Sequence, residues 1–479
     1  MSVDKNKIIA YIDNRLTVGR DTLKAMIVDK DNKLLLRRSV ALVIEKYLRD
    51  FQSGKQDPRW VVVPGLRGVG KTTLVAQMYN AVKCQDKCKL YLSLDDVTRT
   101  LNVSLSEVLE VYEEMLGGKF ETLNKKVYLF IDEAQYDKDW GITIKTLFDR
   151  AKNVFIICTG SSALSLQTNP DIARRVAFAK LYPLNFTEYQ MIKKRKLPIK
   201  NLGNNIRQAI FNSSNAEEVY EKLSAHQASV DRYWQAVSTS EVDEYLKYGS
   251  LPSAIAIGHE PLIYSQINQT LNSVLNRDVP QLNKFEKETI DKLSQILYAV
   301  ASNDKTSFNT ISSTVGLDIK TVVSVFEALE KTELLIRVYP FGSHETQVKK
   351  ASKYLFASPA FRAMYFSLVG STISFDNYKG KLLEDVVGLY LHRIFSTVPG
   401  AILTYDSAKG GADFIIGPGS DFKGKIVIEA GLGKKSHDQV EKTLEKTKGK
   451  YGLIVSQSKL AICQNKTCIA VPLQYFLLI

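Results

Sequence analysis

The densest chemical signal in the chain is Gly65-Leu66-Arg67-Gly68-Val69-Gly70-Lys71-Thr72, which reads G-x-x-x-x-G-K-T and is followed by Thr73. Glycines at 65, 68 and 70 let backbone N–H groups turn inward around phosphate oxygens, and Lys71 reaches the β- and γ-phosphates. The Thr72 hydroxyl is placed to ligate Mg²⁺ at a helix N-terminus, itself an anion site. From average residue usage the pattern arises by chance in roughly 1–2% of chains this long. The residues imply that a nucleoside triphosphate binds here, with Gly65, Gly68, Gly70, Lys71, Thr72 and Thr73 as its contacts.

A second motif supplies carboxylates. Val127-Tyr128-Leu129-Phe130-Ile131-Asp132-Glu133 is an apolar run ending in two acids. Such a run suits a strand buried on both faces of a parallel sheet, whose C-terminal end is where ligands bind. Asp132 is expected to hold Mg²⁺, and Glu133 to polarise the attacking water, which argues for hydrolysis beyond binding. Read without the glycine-rich loop, the same pair is an ordinary helix N-cap. A third strand, Asn153 to Cys158, ends in Thr159-Gly160-Ser161. Thr159 or Ser161 at its tip either senses the γ-phosphate or caps the next helix.

These residues need a scaffold, and the pattern predicts one. Val61-Val62-Val63 is the strand before the loop, and Lys89 to Asp96 is another. Helices are expected over Asp21 to Val28, 38–52, Ser104 to Leu116 and Ile142 to Ala151, with Ser104 and Glu107 as a capping box. The β–α alternation through about residue 185 is that of a doubly wound α/β sheet with right-handed crossovers.

At 479 residues the chain has room for about three domains at the usual ~100–200 residues each. No apolar run approaches the ~18–20 residues needed to span a bilayer, so no membrane is expected as a partner. Five cysteines, Cys84, Cys88, Cys158, Cys463 and Cys468, are an odd number for a disulfide framework and point to a reducing cytoplasm. Cys158 reads as a core residue. Cys84/Cys88 and Cys463/Cys468 are either loose halves of a zinc site or unconnected thiols. A net charge of +13 favours a polyanionic partner, but its densest run, Lys193-Lys194-Arg195-Lys196, is equally a solvated linker.

The loop motif, the segment Phe130 to Gln135, the segment Thr159 to Ala163, Arg174-Arg175 followed by Leu181 to Tyr189, and Tyr245 to Pro252 resemble prokaryotic AAA+-type ATPases related to the STAND group. The resemblance implies a P-loop ATPase core (36–190) after an N-terminal extension (1–35), then a helical lid and linker (191–284), a winged helix (285–350) and a small α/β restriction-endonuclease-like domain (375–479). It implies ATP and Mg²⁺ as ligands. It also implies that Arg175 or Arg174 contacts the γ-phosphate, within its own subunit or on a neighbour in a homo-oligomer, and that the turn at Gly249–Pro252 packs near adenine. The bland alternatives are a surface arginine pair and a simple turn.

The residues support a winged helix independently. Helices are expected over Glu288 to Ala301, Ser307 to Val315 and Ile319 to Lys331, the last capped by Asp318, before a strand Leu334 to Val338 and a turn Pro340-Phe341-Gly342. The third helix mixes Lys320 with Asp318, Glu327 and Glu330, and a groove-reading surface should be clearly basic. A structural or protein-contacting winged helix is favoured over DNA readout. Farther on, a helix opened by Gly380 to Asp385, a hairpin of Gly411 to Ile416 with Gly424 to Gly431, a helix Asp438 to Lys448 and a strand Tyr451 to Val455 look like the PD-(D/E)xK nuclease core. In that family Asp413 and Glu429 would bind Mg²⁺ and Glu384 would add a third carboxylate. The lysine expected two residues after the glutamate is Gly431 here, and Lys434, Lys435 or Lys442 would have to substitute. Two functions follow: an ATP-driven switch engaging DNA or a protein, or an ATP-gated nuclease of a defence or mobile-element system. A third, a regulator that binds nucleotide without hydrolysing it, is weaker.

Overall fold

The computed structural model describes residues 5–55, 57–161, 170–368, 374–419, 424–432 and 437–479. Ser162, Ala163, Lys434 and Lys435 lie outside these ranges. The chain forms two compact units, Met1–Tyr182 and Pro183–Ile479.

The first unit is built on β1 (Trp60–Pro64), β2 (Lys89–Ser93), β3 (Val127–Asp132), β4 (Val154–Gly160) and β5 (Ala177–Phe178). They form a five-stranded sheet in the order β2-β3-β4-β1-β5, parallel throughout. Every residue of β1, β3 and β4 is buried, which is why their sequences run apolar without alternation. β4 lies between β1 and β3, with Val63 beside Thr159 and Ile131 beside Cys158. That register brings the three motif-bearing strand ends to one edge. Among the helices around the sheet, α4 (Leu105–Leu116) starts with the expected capping box between Ser104 and Glu107, and α5 (Trp140–Arg150) leads into β4.

The N-terminal segment differs from expectation. Instead of a short helix near Asp21, α1 spans Lys5–Ala25, and Ile8, Ile12, Gly19 and Leu23 form its buried stripe. Ile8 and Ile12 join the hydrophobic core of the first unit, so residues of the expected N-terminal extension pack into that unit. The many charges between these residues obscured a sparse helical period. α2 (Ser39–Gln52) follows, and Arg38 at its start is buried. The Arg38 guanidinium donates to Val69 O (3.1 Å) and Tyr182 O (2.7 Å), tying the phosphate loop to the chain beyond β5. α6 (Phe186–Lys194), which spans the expected core boundary at 190, belongs to the second unit.

In the second unit α7 (Lys287–Ser302), α8 (Phe308–Val315) and α9 (Ile319–Lys331) appear where the spacing placed them. Asp318 caps α9 by accepting from Thr321 N at 3.0 Å. β6 (Leu335–Pro340) then pairs antiparallel with β7 (Lys353–Phe356), and α10 (His344–Lys349) lies between them. A boundary at residue 350 therefore cuts this pair. β6 also pairs in parallel with β8 (Leu403–Tyr405), so the expected winged-helix and C-terminal regions share one sheet. Its eight strands run in the order Ala461–Ile462, Cys468–Pro472, Tyr451–Ser456, Ile426–Ala430, Phe414–Ile416, β8, β6, β7. β9 (Phe414–Ile416) and β10 (Ile426–Ala430) make the expected hairpin. α12 (His437–Thr447) precedes β11 (Tyr451–Ser456), with β12 (Ala461–Ile462) and β13 (Cys468–Pro472) beyond it. α11 (Phe375–Phe395) carries Gly380 inside it rather than at its start.

One buried ion pair organises this unit. Arg362 meets Asp385 with two hydrogen bonds, at 2.6 and 2.9 Å, and also donates to Val300 O and Ala301 O of α7. Phe356 N of β7 donates to the same carboxylate at 3.1 Å. Helix, strand and carboxylate are thereby fixed together, and every strong polar group is partnered, which a buried charge requires. Cys463 and Cys468 are disulfide-bonded, correcting the expectation of unconnected thiols, while Cys84, Cys88 and Cys158 are free. No helix among the described residues is long and apolar enough to cross a membrane.

Candidate functional site

The phosphate loop follows β1 directly and ends in α3 (Lys71–Ala81). Gly65 cannot be replaced without backbone movement, because a Cβ there would lie 2.4 Å from Leu181 O. Gly70, at the N-cap of α3, has φ +95°, a conformation that turns the loop and costs other residues energy. Lys71 is buried, and its Nζ donates to the carbonyls of Gly65 (2.9 Å) and Leu66 (3.2 Å). Thr73 occupies the same first turn of α3.

Thr72 and Asp132 meet although they are distant in sequence: Thr72 Oγ1 donates to Asp132 Oδ2 at 2.7 Å. Tyr91 OH, from β2, donates to the same oxygen at 3.2 Å. The other carboxylate oxygen accepts from the Thr159 hydroxyl. Burial raises the Asp132 carboxyl above the ordinary range and the Glu133 charge adds to this, while the Thr159 and Thr72 hydrogen bonds oppose it. Burial also pushes the Tyr91 phenol up strongly, so it stays a donor. A hydroxyl and a carboxylate side by side are the hard oxygen donors Mg²⁺ takes, so these two residues fit the ion.

Glu133 sits at φ +53°, ψ +47°, left-handed backbone that is rare for a residue with a side chain. Such strain recurs at functional sites because the surroundings must hold it. Its carboxylate accepts from Gln135 Nε2 at 2.5 Å, and Gln135 Nε2 also reaches Ser161 Oγ at 3.2 Å. The two tip residues of β4 thus divide. Thr159 is committed to Asp132, and Ser161, buried, is connected to Glu133 through Gln135.

A cavity of about 270 Å³ opens beside Thr72, Asp132 and Glu133, and α1 contributes Arg15 to its lining. Arg15 pairs with Asp96 at 2.6 Å and lies over the Tyr11 ring. Its Nε is buried without a hydrogen-bond partner among the described residues. Sequence reasoning missed Arg15, Tyr91 and Gln135. The only available signal for Arg15 was a lone cation on the apolar face of α1.

Three further expected residues have partners of their own. Arg175 forms an ion pair with Asp149 (2.7 Å) of α5 and also donates to Asp171 O, and it does not line the cavity. Arg174 pairs with Asp171 on the surface. Pro252 is the first residue of a short helix, Pro252–Ile255, in the second unit. The turn before it has its own packing reason: a Cβ on Gly249 would lie 2.7 Å from the Tyr189 ring, and Ser250 and Ser358 share a 2.7 Å hydrogen bond.

The predicted tail set is closed by a lysine. Lys353 of β7 donates to Glu384 and, at 3.1 Å, to Asp413 Oδ1. Asp413 Oδ2 accepts from Ala430 N at 3.0 Å, and Glu429 accepts from Asp413 N at 3.1 Å. Burial alone would lower Lys353, but the Glu384 and Asp413 carboxylates outweigh it and hold the ammonium above the ordinary lysine range. Among the described residues, Glu384, Asp413 and Glu429 do not bring three ligand atoms within one coordination sphere. The Lys353 ammonium thus lies against two carboxylates of this set, Glu384 and Asp413. Lys442, the described substitute, is exposed on α12.

The parallel sheet, the glycine loop and the carboxylate beside it define a P-loop domain. Residues 57–190 match the family described as "AAA domain", and residues 239–370 match a "Domain of unknown function (DUF8612)". The chain is 34% identical over 436 residues to uncharacterized protein MJ1637 of Methanocaldococcus jannaschii, covering 90% of this chain and 87% of that protein, and it belongs to the same family. MJ1544 of the same organism is 26% identical over 337 residues, covering 69% of this chain and 66% of that protein. Among solved structures, the Aeropyrum pernix ORC1 protein in complex with DNA aligns with 71% of this chain and 95% of its own, at 11% identity and TM-score 0.32. AMPPCP-bound DnaA from Aquifex aeolicus aligns with 63% of this chain and 91% of its own, at 15% identity and TM-score 0.25.

Proposed function

We propose that the chain is an ATP-dependent molecular switch: the first unit binds ATP with Mg²⁺ and hydrolyses it, and nucleotide state governs how the second unit engages a protein or DNA. The observation that carries this reading is the 2.7 Å contact of Thr72 with Asp132 beside a strained Glu133. Lys71 would exchange the Gly65 and Leu66 carbonyls for β- and γ-phosphate oxygens. The amides of the turn at Gly68 and Gly70 would cradle the phosphates. Thr72 and Asp132 would hold Mg²⁺, which when bound offsets the charge of the phosphoryl oxygens. Glu133, oriented by Gln135, would accept hydrogen-bonding from the attacking water and polarise it. Ser161 would report on the phosphate through Gln135. Arg15, beside this carboxylate edge, would add a cation from the same chain. Arg175 keeps a role only by leaving Asp149, which suits action on a neighbouring copy in a homo-oligomer.

For the second unit, a winged helix that contacts protein is supported by charge. Asp318 at the cap of α9 and Lys320, Glu327 and Lys331 within it are exposed, a mixed set that does not suit phosphate contact. The pairing of β6 with β8 also commits the wing to the larger sheet. The alternative, an ATP-gated Mg²⁺-dependent nuclease on a restriction-endonuclease-like tail, draws on one observation: Lys353 brings Asp413 the ammonium that Gly431 lacks. That same ammonium occupies the carboxylates, so we read the tail as a binding or assembly domain.

The test is ATP turnover against binding. Lys71→Ala should abolish tight ATP binding. Glu133→Gln should retain binding while turnover falls at least about a hundredfold, the low end for a general base. Unchanged phosphate release in Glu133→Gln would refute the role given to that carboxylate.

A further inference from the structure

Three donor side chains meet in the second unit, away from the carboxylate set. Cys463 follows β12 and Cys468 opens β13, so the residues between them form the turn of an antiparallel hairpin. Cys463 N donates to Cys468 O, and Lys466 N to Cys463 O, both at 2.9 Å. The two sulfurs form the disulfide already described, with Cα atoms 5.4 Å apart. His437, the first residue of α12, places Nδ1 3.0 Å from Cys463 Sγ and 3.5 Å from Cys468 Sγ. Both cysteines are buried and the imidazole side is exposed. Among the described residues this is the one group in which three His, Cys, Asp or Glu ligand atoms lie within 4.8 Å of one another.

A disulfide sulfur accepts hydrogen bonds weakly, so the disulfide alone gives little reason for a ring nitrogen aimed at both sulfurs. A cation shared by all three gives a strong one. With Zn–S near 2.3 Å and Zn–N near 2.0–2.1 Å at a tetrahedral angle, sulfur and nitrogen ligands stand about 3.6 Å apart. His437 lies close to that distance from Cys468 and slightly inside it from Cys463. Two thiolates and an imidazole select a borderline-soft d¹⁰ ion over Mg²⁺ or Ca²⁺. Two thiolate charges also neutralise a divalent ion, which suits buried sulfurs.

We propose that Cys463, Cys468 and His437 form a Zn²⁺ site when the thiols are reduced, with water in the fourth position, and that the disulfide is its oxidised, cation-free form. Reduction by a dithiol adds two electrons and two protons, breaks the S–S bond and leaves the dithiol as its own disulfide. Zn²⁺ binding then releases the two thiol protons. The ion would fasten the start of α12 to the β12–β13 hairpin.

The full chain, reduced with a dithiol and desalted without oxygen, is titrated with Zn²⁺ and, separately, with Co²⁺. The expected result is one equivalent of tightly held Zn²⁺ and the thiolate-to-cobalt charge-transfer absorption of a tetrahedral site. Cys463→Ser should lose that absorption, and His437→Ala should weaken Zn²⁺ binding at least about tenfold. Cys84→Ser should match wild type. Circular dichroism checks folding, and His437, being exposed, is the variant least exposed to that objection. Reduced wild type that binds no more Zn²⁺ than His437→Ala, or cobalt absorption that survives Cys463→Ser, overturns the proposal.

Discussion

Replacing Lys353 by Met should cost the second unit more than any surface change, and the reason is electrostatic. The Lys353 side chain is 6% exposed, and its partners Glu384 and Asp413 are 17% and 18% exposed. Methionine keeps the volume and removes the ammonium, leaving two nearby carboxylates facing each other in low dielectric. Breaking a buried pair by deleting one partner costs about 3–5 kcal/mol. At ~2.1 cal/mol/K per residue, a unit of roughly 300 residues unfolds with about 0.6 kcal/mol/K, so its midpoint should fall by about 5–8 °C. Differential scanning calorimetry of the full chain measures this. The double variant Lys353→Met/Glu384→Gln should recover part of the loss, since one uncompensated charge is removed and the sites are coupled. A midpoint shift under about 2 °C would refute the claim that the ammonium closes the carboxylate set. Plasmid cleavage by wild type with Mg²⁺, abolished in both Lys353→Met and Asp413→Ala, would refute it from the other side by making the lysine catalytic.

Arg15→Ala should weaken ATP binding or slow turnover by about 10–100-fold, the value of a charged hydrogen bond worth ~1.5–3 kcal/mol. Unchanged kinetics would assign Arg15 to its Asp96 pair alone. Arg175→Ala should lower kcat by about 10³ while binding persists if it serves as a finger. Normal kcat with a small stability change would leave it as the partner of Asp149. Burial pushes the Cys84 thiol up to about 11. At pH 8 its alkylation by iodoacetamide should be about 100-fold slower than for a thiol titrating near 9, and should keep rising tenfold per pH unit until about pH 11. A rate that levels off near pH 9 would contradict that burial.

The amino-acid sequence by itself determined the P-loop half of this protein. The loop from Gly65 to Thr72 and the run ending at Asp132 are local signals, because a few consecutive backbone angles and one buried strand specify each. Apolar runs without alternation were enough to predict the parallel sheet, and caps such as Ser104 and Asp318 marked helix starts. The sparse stripe Ile8, Ile12, Leu23 was equally local but was masked by intervening charges. Tertiary structure alone decided the rest. Lys353 reaches Glu384 and Asp413 across 31 and 60 residues because β6 pairs with both β7 and β8, a choice between strand edges that no local pattern encodes. The same is true of Arg15 beside the Asp132 edge and of His437 against two sulfurs. Such groups come together only when separate elements pack, and the energy that fixes their packing is spread over the whole core.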